Sequence, residues 1–102
     1  MAQLLIIYNQ PDDPAAFDNY YYGTHVPIFA ETPGIRSVTF SQGPISTLAG
    51  ASNTYLIAEV TFDSMESLQA GLASEPAQAA VADLPNFAGA GVTIIAFDTR
   101  AG

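Results

Sequence analysis

Two periodicities run through this chain. A period of two governs Ile35 to Gln42, where Val38 and Phe40 point one way and Ser37, Thr39 and Ser41 the other. It returns in Thr54 to Phe62, with Leu56, Ala58, Val60 and Phe62 on an apolar face and Tyr55, Ile57, Glu59 and Thr61 on a mixed one. Both segments read as strands. Gln3 to Tyr8 and Val92 to Asp98 are short, rich in β-branched and aromatic residues, and bounded by turn formers such as Asn9, Pro11 and Gly91, so they read as the first and last strands. A helical period follows Pro14: Asp13 suits the N-cap and Pro14 the first helical position. At 100° per residue, Phe17, Tyr21, Thr24 and Ile28 share one stripe, with His25 at its edge. Pro33-Gly34 stops this helix. Asp63 with Glu66 resembles a capping box for a helix from Ser64 to about Ala73, and a short helical stretch from Pro76 to Asp83 leads towards the last strand. Gly43 to Asn53 has the composition of a surface loop.

The resulting order, β-α-β-β-α-β, predicts an α+β ferredoxin-like fold: a four-stranded antiparallel sheet with its helices on one face, in a single domain over residues 1–102. The other sheet face needs an explanation. Leu4 to Ile7 and Ile94-Ile95 place apolar side chains on both faces, and Tyr55 and Ile57 add to the second. No same-chain segment remains to cover it, so a second copy is expected to pack sheet against sheet as a homodimer, forming a dimeric α+β barrel.

Composition narrows the function. Ten acidic residues face two basic ones, Arg36 and Arg100, for a net charge of −8, and lysine is absent. Nucleic acid is excluded as a partner, because binding a polyanion requires clustered Lys and Arg. An anionic membrane surface is disfavoured for the same reason, and no apolar run approaches the ~20 residues of a membrane span. Without lysine there is no Schiff base, and without cysteine there is no thiolate nucleophile, disulfide or Cys-type zinc site. One histidine among dispersed carboxylates has no ligand spacing for a metal or haem, so neither a metal nor a cofactor is expected. The opening residues, apolar but without a basic leader, read as a strand, and a cytoplasmic location is expected.

Tyr8, Phe17, Tyr21 or Tyr22, Gly23, His25, Pro27 and Pro33-Gly34, followed by Asp83-Leu84, Asn86-Phe87 and a glycine turn, together resemble the EthD family of dimeric α+β barrel proteins along essentially the whole chain. The resemblance implies a homodimeric ferredoxin-like barrel, linked by name to ethyl tert-butyl ether degradation and related to cofactor-free monooxygenases and lactone isomerases.

His25 is the only side chain with an unperturbed pKa near neutrality, which makes it the candidate catalytic acid–base. Pro27 cannot donate to the Gly23 carbonyl, so the helix should kink or end around His25. A bland role also suits His25, that of a partly exposed residue bonding a freed carbonyl at a helix end. Tyr8, Tyr21, Tyr22, Phe29, Asn86 and Phe87 are the candidate substrate-binding residues. Tyr8 sits at a strand end, where its hydroxyl would either meet a ligand or be solvated. The tyrosines at 20 to 22 cannot all face inward, and Tyr21 is the expected core residue. Asp83 is expected to cap its helix. Glu59, in mid-strand, would be a general base if the dimer covered it, or the partner of Arg36 or Arg100. Two functions follow. One is a catabolic protein acting on a small apolar organic molecule, as a cofactor-independent oxidoreductase, monooxygenase-like, or as a lactone isomerase-like enzyme, with His25 moving the proton. The other is a non-catalytic barrel that binds a hydrophobic metabolite or assists a partner oxygenase.

Overall fold

The computed structural model describes residues 1–102. Strand β1 spans Ala2–Asn9, and Asp13 then caps a helix by accepting the Ala16 amide on Oδ1 at 3.1 Å. Helix α1 (Pro14–Tyr20) passes through a π-helical turn, Tyr21–His25, into α2 (Val26–Ala30). Strands β2 (Ile35–Phe40) and β3 (Thr54–Phe62) follow, then α3 (Met65–Leu72), α4 (Glu75–Asp83), a 3-10 turn at Leu84–Asn86 and β4 (Val92–Asp98). The sheet order is β2-β3-β1-β4, with every neighbouring pair antiparallel, as two interleaved split β-α-β units require. The fold is therefore α+β ferredoxin-like, and no helix is long and apolar enough to cross a membrane.

The π-helical turn changes which residues face the sheet. The Val26 amide donates to the Tyr21 carbonyl, five residues back, next to Pro27, which has no amide hydrogen to donate. The wider turn shifts the face, so that Phe17, Tyr21 and His25 are buried and Thr24 is exposed. Thr24 and Ile28 thus leave the predicted inward stripe, and His25 moves from its edge to its centre.

The core lies between the helices and one sheet face. Leu4, Ile6 and Tyr8 of β1 and Leu56, Ala58, Val60 and Phe62 of β3 are all buried there, as the alternation predicts. Five aromatic rings, Tyr8, Phe17, Tyr21, Tyr55 and Phe87, interlock at one end, with Tyr8 5.5 Å from Phe17 and 5.2 Å from Tyr21, both edge-on. Such pairs add about 0.5–1.5 kcal/mol each beyond area burial. Tyr55 is a correction to the alternation. The pairing of β1 with β3 shifts from Tyr8↔Leu56 to Asn9↔Thr54, leaving Tyr55 out of register. It turns to the helix side, where its ring packs on Phe17 and its hydroxyl donates to Asp18 at 2.8 Å. The α3 cap also moves by one residue: Ser64, not Asp63, accepts the Ser67 amide, at 3.1 Å.

The opposite sheet face carries Leu5, Ile7, Ile57, Ile95 and Phe97. Leu5 lies between Glu59 and Ile95 in register, while Ile95 and Phe97 are 47% and 38% exposed. No segment of this chain covers the face. Glu59 is exposed on it, and Arg36 pairs instead with Asp63, at 3.3 Å on the surface.

Candidate functional site

His25 is only 5% exposed, which replaces the partly exposed helix-end role with a buried one. Burying an imidazole requires a polar partner, and the partner is a carboxylate rather than a freed carbonyl. Asp83, the last residue of α4, approaches His25 Nδ1 with Oδ2 at 3.0 Å. Its other oxygen accepts the Tyr20 hydroxyl at 2.5 Å and the Asn86 amide at 2.9 Å. Burial by itself would raise the Asp83 carboxyl, but the hydrogen bonds from Tyr20, Asn86 and His25 outweigh it and hold the group below its ordinary carboxylate value. Asp83 is therefore ionised at neutral pH and acts only as an acceptor, so His25 Nδ1 carries the shared hydrogen and Nε2 is the ring nitrogen left for another partner. The expected capping role for Asp83 gives way to this one. No local signal exposes the pairing, because His25 and Asp83 belong to different helices that meet only in the folded chain.

The rings around His25 set its plane. Tyr21 stacks on it at 5.7 Å and 21°, and Phe87 lies against it at 4.6 Å. Tyr20 in turn stacks on Phe87 at 5.5 Å, so the residues that hold Asp83 also hold the wall of the site.

Two apolar cavities adjoin the imidazole. One, of about 240 Å³, lies between α4 and strands β1 and β4, with Ile6, Tyr8, His25, Phe29, Leu84 and Ile94 among its walls. The other, of about 150 Å³, lies over β2 and β3, with Tyr21, His25, Phe29, Val38 and Phe40 among its walls. Both sit between the helices and the sheet of a single subunit.

The sequence candidates thus separate. Tyr8, Tyr21, Phe29 and Phe87 meet around His25, whereas Asn86 acts through Asp83. Tyr22 does not join them: its ring leans on Phe40, and it faces a wider, more polar cleft of about 480 Å³ with Asp18 and Tyr55. That cleft is the largest on the molecule, but His25 is not on it. Tyr8 is not at a solvated rim either, because β1 continues to Asn9 and the Asn9 amide donates to Gly91 at 3.0 Å, tying the closing turn over it. Tyr8 is 1% exposed, and its hydroxyl donates no hydrogen bond, with the Tyr21 hydroxyl close by on its acceptor side. Burial pushes the Tyr8 and Tyr21 phenols well above the ordinary tyrosine value. Tyr20 is raised chiefly because its hydrogen bond to Asp83 favours the protonated phenol.

A ferredoxin-like subunit with an apolar, histidine-containing interior site between helices and sheet defines the class. The EthD domain model matches residues 9–91, and the chain belongs to the EthD family. It is 37% identical over 99 residues to an uncharacterised 11.0 kDa protein from the thcB-thcC intergenic region of Rhodococcus erythropolis, covering 96% of this chain and 94% of that one. A crystal structure of an ethyl tert-butyl ether degradation (EthD) family protein from Bacillus halodurans is similar at 32% identity and a TM-score of 0.86, covering 98% of this chain and 99% of that one. At 14% identity the likeness is one of fold: SnoaB, a cofactor-independent oxygenase from Streptomyces nogalater, aligns with a TM-score of 0.69 over 99% of this chain and 94% of its own. A dimeric ferredoxin-like protein of unknown function from Thermobifida fusca aligns with a TM-score of 0.65 at 16% identity, over 97% and 92% of the two chains.

Proposed function

We propose that this protein is a cytoplasmic, homodimeric catabolic enzyme that moves a proton on a small, largely apolar organic molecule without a cofactor, with His25 as the acid–base. The observation that carries the reading is a lone buried histidine, anchored through Nδ1 to an ionised Asp83, at the junction of two apolar cavities. A pocket that merely sequestered an apolar molecule would not need that pair, and burying it without function would be expensive. Ionised Asp83 stabilises the imidazolium that forms when Nε2 accepts a proton. Removal and return of the proton suffice for an isomerase. A cofactor-independent monooxygenase uses the same first step to make an electron-rich anion that then meets oxygen. The dimer is supported by the open sheet face, where Leu5, Ile7, Ile95 and Phe97 would meet a second copy, and by the dimeric state described for the Thermobifida fusca protein.

The test screens apolar metabolites by thermal shift against wild type and His25→Ala, then follows each stabilising compound by NMR. Wild type should convert at least one compound that His25→Ala binds but leaves unchanged. Binding by both proteins without conversion by either would favour a non-catalytic binding barrel or an accessory to a partner oxygenase.

A further inference from the structure

We propose that the cavity beneath α4 selects a neutral, single-ring-sized carbonyl compound, whose oxygen accepts a hydrogen bond from the Tyr8 hydroxyl while an acidic hydrogen on the adjacent carbon meets His25. This inference rests on the reading of His25 as an acid–base and adds the substrate class.

Size is the first argument. An apolar protein cavity of about 150 Å³ is enough to hold benzene. The cavity beneath α4, at about 240 Å³, has room for one ring with a short substituent. Charge is the second. The chain has no lysine, Arg36 is engaged with Asp63 on the outer surface, and Arg100 lies exposed beyond β4. No cation reaches the cavity, so a carboxylate or phosphate ligand would be buried without a counter-charge on a protein of net charge −8.

The third argument is hydrogen-bonding capacity. Asp83 is already occupied by Tyr20, Asn86 and His25, and Tyr20 and Asn86 are occupied by Asp83. Of the polar side chains that line the cavity, Gln78 is engaged with the Leu72 carbonyl in an exposed hydrogen bond at 2.8 Å, whereas the Tyr8 hydroxyl is buried with its donor unused. Buried hydroxyls rarely remain so without a purpose. Tyr8 and His25 line the same cavity and both pack on Phe87, with ring centroids at 5.6 and 4.6 Å. Because burial disfavours the phenolate, Tyr8 stays protonated and donates rather than acting as a base. The ligand must then supply an acceptor. A carbonyl oxygen does so, and it also acidifies the neighbouring C–H bond, as a histidine base requires.

The step balances without a co-reactant. Nε2 of His25 takes the proton from the carbon next to the carbonyl, and the C–H pair becomes the new carbon–carbon π bond of the enolate. The carbonyl π pair moves onto oxygen, where the Tyr8 hydroxyl stabilises the charge. Return of the proton from Nε2 to the same carbon gives exchange, and return to a conjugated carbon gives an isomer.

Acetophenone and α-methylstyrene, which replaces the carbonyl oxygen by a methylene group, form the probe pair, with binding and exchange of the acetophenone methyl protons followed by NMR in D2O. Wild type should bind the ketone roughly five- to tenfold more tightly than the hydrocarbon and exchange its methyl protons. Tyr8→Phe, nearly isosteric, should bind both equally and exchange at least tenfold more slowly. His25→Gln should keep the ketone preference and lose exchange. Equal affinity of wild type for both probes would overturn the carbonyl assignment, because the comparison needs no variant. If that equality came with His25-dependent turnover of another compound, the acid–base reading would stand and only this inference would fall. Failure of acetophenone to bind would overturn it as well.

Discussion

His25 Nδ1 and Asp83 Oδ2 stand 3.0 Å apart across 58 residues of chain, bringing the π-helical turn after α1 against the end of α4. The consequence is a fixed tautomer. Asp83→Asn should preserve the fold but allow the amide to donate to Nδ1, moving the hydrogen to Nε2 in part of the population. As His25 is the only histidine, long-range ¹H–¹⁵N spectra should show the change directly. Turnover of any substrate found by the screen should fall roughly 10²-fold or more with affinity changed only a few-fold.

The same pair sets an acid limit. Asp83 has a folded pKa below its unfolded value of 3.8, so its contribution to stability is fully present above that value and is lost as pH falls through the lower, folded one. Melting temperatures of wild type and Asp83→Asn should therefore converge as pH falls below about pH 4. A gap that widened on acidification from about pH 4 would contradict the assignment.

Tyr8→Phe should leave the melting temperature unchanged or raise it, the reverse of what truncating a hydrogen-bonded tyrosine does. An unpaired buried polar group carries a penalty of about 1–3 kcal/mol, and removing one kcal/mol of it corresponds to about 4–8 °C in a domain of this size. Calorimetry decides the sign, and a clear loss of stability would mean that the hydroxyl has a partner.

Gly71 lies within α3, where replacing glycine by alanine ordinarily gains about 1 kcal/mol in an exposed helix. Here a Cβ would stand 2.8 Å from the Pro33 carbonyl oxygen and 3.0 Å from the Phe62 ring. Gly71→Ala should therefore destabilise the protein, by about 1–3 kcal/mol in denaturant unfolding, because α3 must move off the turn before β2.

The open sheet face predicts a mass near twice 10.7 kDa in sedimentation. Ile95→Asp places a charge directly opposite Leu5, which separates it from Glu59 on the same face, so it should shift the protein to single subunits without altering the interior site.

Much of the architecture was legible from periodicity. Leu56, Ala58, Val60 and Phe62 alternate because a pleated strand presents every second residue to the core, and they are buried as that rule requires. Asp13-Pro14 announced its helix for an equally local reason, the need to satisfy amides at a helix start. EthD membership was readable too, from residues spread over the chain. Where the reading failed, the cause was a single extra residue. The register shift at Tyr8 and Asn9 sent Tyr55 to the other face, and the π-helical turn brought His25 inward in place of Thr24. Each is a small local change that reassigns every side chain beyond it.

The candidate site divides along the same line. A single histidine in a chain without lysine or cysteine was enough to name His25 as the acid–base candidate. Its partner could not be named, because Asp83 sits at no fixed spacing from it and touches it only when α4 docks against the first helical segment. The two cavities and the unpaired Tyr8 hydroxyl are likewise products of packing. Short-range chemistry is written in neighbouring residues, but the environment that tunes an imidazole is built from segments that meet only in three dimensions.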